Sequence, residues 1–166
     1  MLTTTHLRPV AAAILLVLAG MPLIGAEQEA LVVVVNSGRP ESNLSRIDLL
    51  SIFIGHAQYW GDRTEITPIL PPSADMVATL KFHEFIGMPP NKLKQKWSAK
   101  IAAREARRPP VQPKDSAEAL TRLANFPGGI AVLTRSSFEG SPQASGFKAL
   151  TIDGLGPDDA GYSLAR

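Results

Sequence analysis

The chain has 166 residues, 45% hydrophobic and 19% charged, with 17 Lys and Arg against 15 Asp and Glu for a formal net charge of +2. That balance excludes a general electrostatic programme for nucleic acid, and the absence of cysteine excludes disulfides, thiol catalysis and cysteine-held metals. The length suits one domain rather than two.

In chain order, residues 1–26 read as a secretory signal peptide. Arg8 gives a weakly basic start, Val10 to Ile24 is mostly apolar, and Gly25-Ala26 offers small residues for cleavage after Ala26. The apolar run is short for a membrane span and is broken by Gly20 and Pro22. The rival reading is an uncleaved N-terminal anchor. Cleavage removes Arg8 and no acidic residue, so the formal charge falls from +2 to +1. The expected location is the periplasm, and residues 27–153 are the expected domain.

Leu31 to Val35 is an unbroken β-branched run, which suits a strand covered on both faces. Ser37-Gly38-Arg39-Pro40 breaks it. Ser45 is placed to cap a helix, with Asp48 three residues on and Gly55 as the stop. A polar loop then brings Tyr59 and Trp60 back towards the core. Glu65 to Leu70 reads as a second strand, at an edge or bulge because of Pro68. Ser73 reads as the cap of a second helix over residues 74–86, apolar around most of its circumference and therefore expected to be enclosed. A third helix over residues 91–104 buries Leu93, Trp97 and Ile101. Val111-Gln112 suggests a brief strand. Asp115, with Glu118 three residues later, caps a fourth helix that turns Leu120 and Leu123 inward. Pro127-Gly128-Gly129 turns into a strand over residues 130–134, and residues 147–152 suggest the last one. Residues 154–166, rich in Gly, Pro and Asp, read as a flexible tail. Strands separated by helices argue for an α/β layered domain, with helices flanking the sheet.

Several of these pieces, in this order, resemble the phosphate-type periplasmic substrate-binding proteins of ABC transporters. They are the strand Val32 to Val35 ending at Asn36, Leu44-Ser45 leading to Ile52-Phe53-Ile54-Gly55, the Trp60 loop, and Phe126-Pro127-Gly128-Gly129-Ile130. The resemblance runs from about Leu31 to about Leu133 and implies a single periplasmic-binding-protein-like lobe. It also implies a non-enzymatic binding role, with a phosphate-like oxyanion as ligand and an ABC transporter permease as partner. The family's anion site is a Ser-Gly-Thr motif at a helix N-terminus, where free N–H groups and the helix dipole favour negative charge. The matching residues here are Ser73, Ala74 and Asp75, so Ser is kept, Gly and Thr are not, and no Arg immediately precedes. Asp75 would itself occupy the favourable position and repel a dianion unless a proton were shared. Ser73 therefore reads first as a helix cap. If an anion binds, Ser73 and the Asp75 N–H are its expected contacts.

Lys92, Lys96, Lys100 and Arg104 recur every four residues along the third helix, and residues 92–108 hold seven basic residues against one acidic. Like charges at that spacing cost a helix a few tenths of a kcal/mol per pair, roughly. The row is either a solvated face or a docking surface, for an acidic protein partner such as the periplasmic part of a membrane sensor, for anionic lipid or for a polyanion. An interaction domain without a small ligand is thus the alternative to an oxyanion-binding lobe. His6, His56 and His83 lack metal-ligand spacing, no serine sits in a nucleophile elbow, and no cofactor motif is present. Catalytic and metal-binding residues are therefore not expected, and an aromatic platform for nucleic acid is missing.

Overall fold

A computed structural model describes residues 29–165; the signal-peptide and cleavage assignments fall outside them. Its centre is a five-stranded sheet in the order β2-β5-β1-β4-β3. The strands are β1 (Leu31–Asn36), β2 (Asn43–Leu44), β3 (Thr67–Ile69), β4 (Gly129–Thr134) and β5 (Phe147–Ile152). β1 lies antiparallel between β4 and β5, while β3 joins β4 and β2 joins β5 in parallel. The helices are α1 (Arg46–Phe53), α2 (Met76–Phe85), α3 (Pro90–Ala102), α4 (Ser116–Asn125) and the short α5 (Arg135–Glu139). The chain is α/β with a mixed sheet flanked by helices.

The unbroken apolar run of β1 follows from this layering. Val33 and Val35 join one core with Leu49, Phe53, Phe82 and Trp97 from α1, α2 and α3. Val32 and Val34 join the opposite core with Leu120 and Leu123 of α4. Alternate side chains of one strand feed two cores, so no polar face is needed. Pro68 does sit on an edge strand, and its carbonyl takes the Val111 N–H at 2.8 Å, which makes the brief Val111 strand a single bridge.

Ser45 caps α1 by accepting the Asp48 N–H at 3.0 Å, and Gly55 follows the helix at φ +77°. Trp97 of α3 donates its indole N–H to the Phe53 carbonyl at 2.9 Å, and Trp60 donates to the Gly128 carbonyl at 3.0 Å. Both tryptophans are thus core anchors with their polar atoms satisfied. Arg39, expected only as part of a strand-breaking turn, is a buried knot. Its guanidinium pairs with both oxygens of Glu41 at 2.7 and 2.8 Å and with Asp62 at 2.9 Å, and it lies over the Trp60 ring. These charge-assisted bonds hold its proton above the ordinary arginine range.

Three expectations change. α3 ends at Ala102, because Ala103 is its C-cap and Arg104 adopts φ +60°. α2 starts later than expected and is not enclosed: Ala78, Phe82 and Phe85 are buried, but Met76, Val77 and Leu80 are 62, 50 and 65% exposed. The C-terminal stretch is not loose, because Tyr162 and Leu164 are core residues, the Leu31 N–H donates to the Leu164 carbonyl, and Lys81 donates to the Ala165 carbonyl. Two large apolar side chains outweigh the turn-forming composition of the segment around them.

Tyr162 carries a testable cost. Its hydroxyl is buried without a hydrogen-bond partner among the described residues, and burial pushes its pKa up to about 12. The neutral form is favoured in the fold, so this stabilisation is complete below the unfolded value near pH 10 and is lost as pH rises through about 12. Tyr162→Phe is expected to leave neutral-pH stability unchanged or raise it by up to about 1 kcal/mol, and to flatten the alkaline loss. Urea midpoints at pH 7 and pH 11 test this; an equally steep alkaline loss in Tyr162→Phe would rule it out.

Candidate functional site

The segment before α2 runs beside the segment before α4. The Leu70 N–H donates to the Val111 carbonyl, Ser73 to Pro113 and Ala74 to Lys114, at 2.9 to 3.0 Å. This pairing brings the N-termini of α2 and α4 to one open depression of about 400 Å³, lined by Pro72, Ala74, Asp75, Met76, Val77, Asp115, Ser116 and Ser137.

Asp75, not Ser73, caps α2: its carboxylate accepts the Ala78 N–H at 2.9 Å. Asp and Ser rank alike as caps, and the hydrogen-bonded pairing of Ser73 and Ala74 with residues 113–114 puts Ser73 outside the helix. The Ser73 N–H is bonded to Pro113, that of Ala74 to Lys114, and that of Asp75 to Pro72. The three residues expected to hold an anion therefore have no backbone N–H to spare. Asp75 is occupied twice over, since the Thr134 hydroxyl lies 3.2 Å from its second oxygen. Thr134 is in turn 2.7 Å from the Ser137 hydroxyl, at the start of α5.

The free donors lie one step further on. The N–H groups of Met76 and Val77, and of Ser116 and Ala117 on α4, find no acceptor among the described residues. α4 is capped as its sequence foretold: Asp115 accepts the Glu118 N–H at 2.8 Å and Glu118 accepts the Lys114 N–H at 2.8 Å. What the sequence did not reveal is that both capping carboxylates share one depression. No basic side chain lines it.

The basic row is less continuous than its spacing suggests. Lys92 is exposed and Lys96 half-buried, but Lys100 pairs with Glu105 at 3.2 Å and its stem lies against Gly55. Arg104 lies beyond the helix end. Arg107 and Arg108 both reach Glu65, and Arg108 stacks over Phe126. None of these residues lines the depression. Asn36 is structural: its side-chain amide donates to the Leu123 and Phe126 carbonyls, tying β1 to the end of α4. His83 bonds the Met88 carbonyl through Nδ1 and packs edge-on against Phe82. No group of three metal-ligating side chains occurs among the described residues, and none of their helices is long and apolar enough to cross a membrane.

No protein-family model and no curated protein matches this chain. Solved structures do. An ABC-type phosphate transport receptor from Vibrio cholerae superposes with a TM-score of 0.54 at 17% identity, over 78% of this chain and 48% of that one. PstS from Borrelia burgdorferi gives a TM-score of 0.56 at 14% identity, over 78% and 49%. The fold is similar to that of a single periplasmic-binding-protein-like lobe. The chain spans about half the length of the receptors it resembles. In this chain the α2 terminus carries its own carboxylate, Asp75.

Proposed function

We propose that this chain is an exported, non-catalytic recognition module of the phosphate-transport type, working as an interaction domain rather than as a phosphate carrier. Its partner on this reading is the extracytoplasmic part of a transporter or membrane sensor. One observation carries the choice: Asp75 and Asp115 already cap the two helix N-termini that meet at the depression, with no basic residue in its lining. A helix terminus attracts a unit negative charge by at most about 2 kcal/mol. Two like charges at 4 Å repel by about 4 kcal/mol at a surface-like effective dielectric. With two carboxylates at the rim, repulsion wins for a dianion.

A second reading, oxyanion binding, is favoured by the free N–H groups of Met76, Val77, Ser116 and Ala117. On that reading the anion sits past Ser73, Ala74 and Asp75, at the first two residues of α2. Thermal unfolding separates the two. The expected result is an unchanged melting temperature in roughly millimolar phosphate or sulfate at pH 5.5 and pH 8. A site occupied at ten times its Kd would add about 1.4 kcal/mol and several degrees, and such a rise would favour the oxyanion reading.

A further inference from the structure

We propose that the N-terminal half of α2, with the depression beside it, is the docking face for a partner protein segment that presents a cationic side chain next to an apolar one. The inference rests on the reading of the chain as an interaction module and names the chemistry that module recognises. Met76, Val77 and Leu80 stand at positions i, i+1 and i+4 of one helix and are half or more exposed. Neighbouring apolar side chains left in water on one face mark an interaction surface, whereas isolated ones need no explanation. The adjoining depression supplies the polar half of the recognition. It carries Asp75 and Asp115 and no cation. Asp75 has both oxygens engaged, but only one oxygen of Asp115 is used, by the Glu118 N–H, among the described residues. Lys114, next in sequence, gives its carbonyl to the Ala74 N–H and does not line the depression.

This charge pattern selects the occupant. Anionic lipid headgroups meet two carboxylates and are repelled. A bare metal ion lacks a third ligand. A Lys or Arg side chain can reach Asp115 while its apolar neighbour covers Met76, Val77 and Leu80, which matches charge at the rim and burial at the centre.

The test is an amide-resolved NMR titration of the isotope-labelled full chain with the peptide acetyl-Ala-Leu-Lys-Leu-Ala-amide. Two control peptides carry acetyl-lysine or Glu at the centre. The lysine peptide is expected to shift the amides of Met76, Val77, Leu80, Ser116 and Ser137 saturably, and both controls to bind at least roughly threefold more weakly. Asp115→Asn keeps a good helix cap, and Leu80→Ser alters an exposed side chain, so both variants are expected to fold. Each is expected to weaken the lysine peptide roughly threefold to tenfold. Equal binding of the controls, shifts confined to another surface, or no binding overturns the proposal and leaves the interaction reading standing. Shifts at Met76, Val77 and Leu80 that grow with protein concentration alone assign the face to a second copy and also overturn it. Saturable shifts at these amides with inorganic phosphate overturn the interaction reading and this proposal together.

Discussion

Arg39→Ala is expected to cost the fold about 3 kcal/mol, which for a chain of this size lowers the melting temperature by roughly 10 °C. The side chain is only 7% exposed and holds Glu41 in a two-bond pair, Asp62 in a third bond, and the Trp60 ring by its face. Truncation leaves Glu41, itself largely buried, without its cation. Lost pairing inside a fold costs more than a surface salt bridge, and the half-exposed Asp62 keeps the effect at the lower end of the range for buried pairs. Arg39→Lys keeps the charge but not the paired geometry, so an intermediate loss is expected. Calorimetric unfolding checks the series; a change within about 0.5 kcal/mol for Arg39→Ala would mean the knot is surface decoration. The same site sets an acid limit. The Thr64 N–H, and then Arg39, hold the Asp62 carboxyl at about 2. The folded value lies below the unfolded one, so this contribution is present above about pH 4 and is lost as pH falls through about 2.

Gly128→Ala is expected to be at least as damaging, about 3 kcal/mol or more. A Cβ there would stand 2.1 Å from the Glu65 carbonyl oxygen and 2.9 Å from Thr64 Cγ2. The obstacle is backbone, which cannot rotate away. The Gly128 carbonyl also accepts the Trp60 indole N–H at 3.0 Å and the Thr67 N–H at 3.1 Å, so a shift strains the Trp60 anchor and the start of β3 together. Gly61, with nothing within 4 Å of its added Cβ, is the control, and its change to Ala is expected to stay within about 0.5 kcal/mol. Urea unfolding followed by tryptophan fluorescence compares the two. Equal midpoints would show that the approach of residues 64–65 to Gly128 can relax at no cost.

The contrast between these glycines shows what sequence could and could not reveal. Pro127-Gly128-Gly129 was readable as a turn into a strand, but the need for glycine at 128 comes from a backbone far away in sequence. The layered fold was legible because its causes are local: the β-branched run of β1, the caps Ser45 and Asp115, and the four-residue spacing of Leu93 and Trp97. α2 misled because composition describes a helix's surroundings only on average. Its apolar residues divide between Phe82 and Phe85 in the core and Met76, Val77 and Leu80 in water. The tail misled for the opposite reason, since Tyr162 and Leu164 alone pin a segment that otherwise reads as turns. The departure of Ala74 and Asp75 from the Ser-Gly-Thr pattern was visible, and so was the electrostatic objection it raised. The meeting of Asp75 with Asp115 required the pairing of two loops forty residues apart, roughly, which no local pattern encodes.

Isothermal titration of phosphate into the wild-type chain and into the Asp75→Asn, Asp115→Asn double variant tests the role of those two carboxylates most directly. Asn preserves both helix caps while removing both charges. The prediction is no measurable heat of binding for the wild type, and binding in the double variant through the N–H groups of Met76, Val77, Ser116 and Ala117. Micromolar phosphate binding by the wild type would contradict the account, because the helix termini would then hold an anion in spite of their own carboxylates.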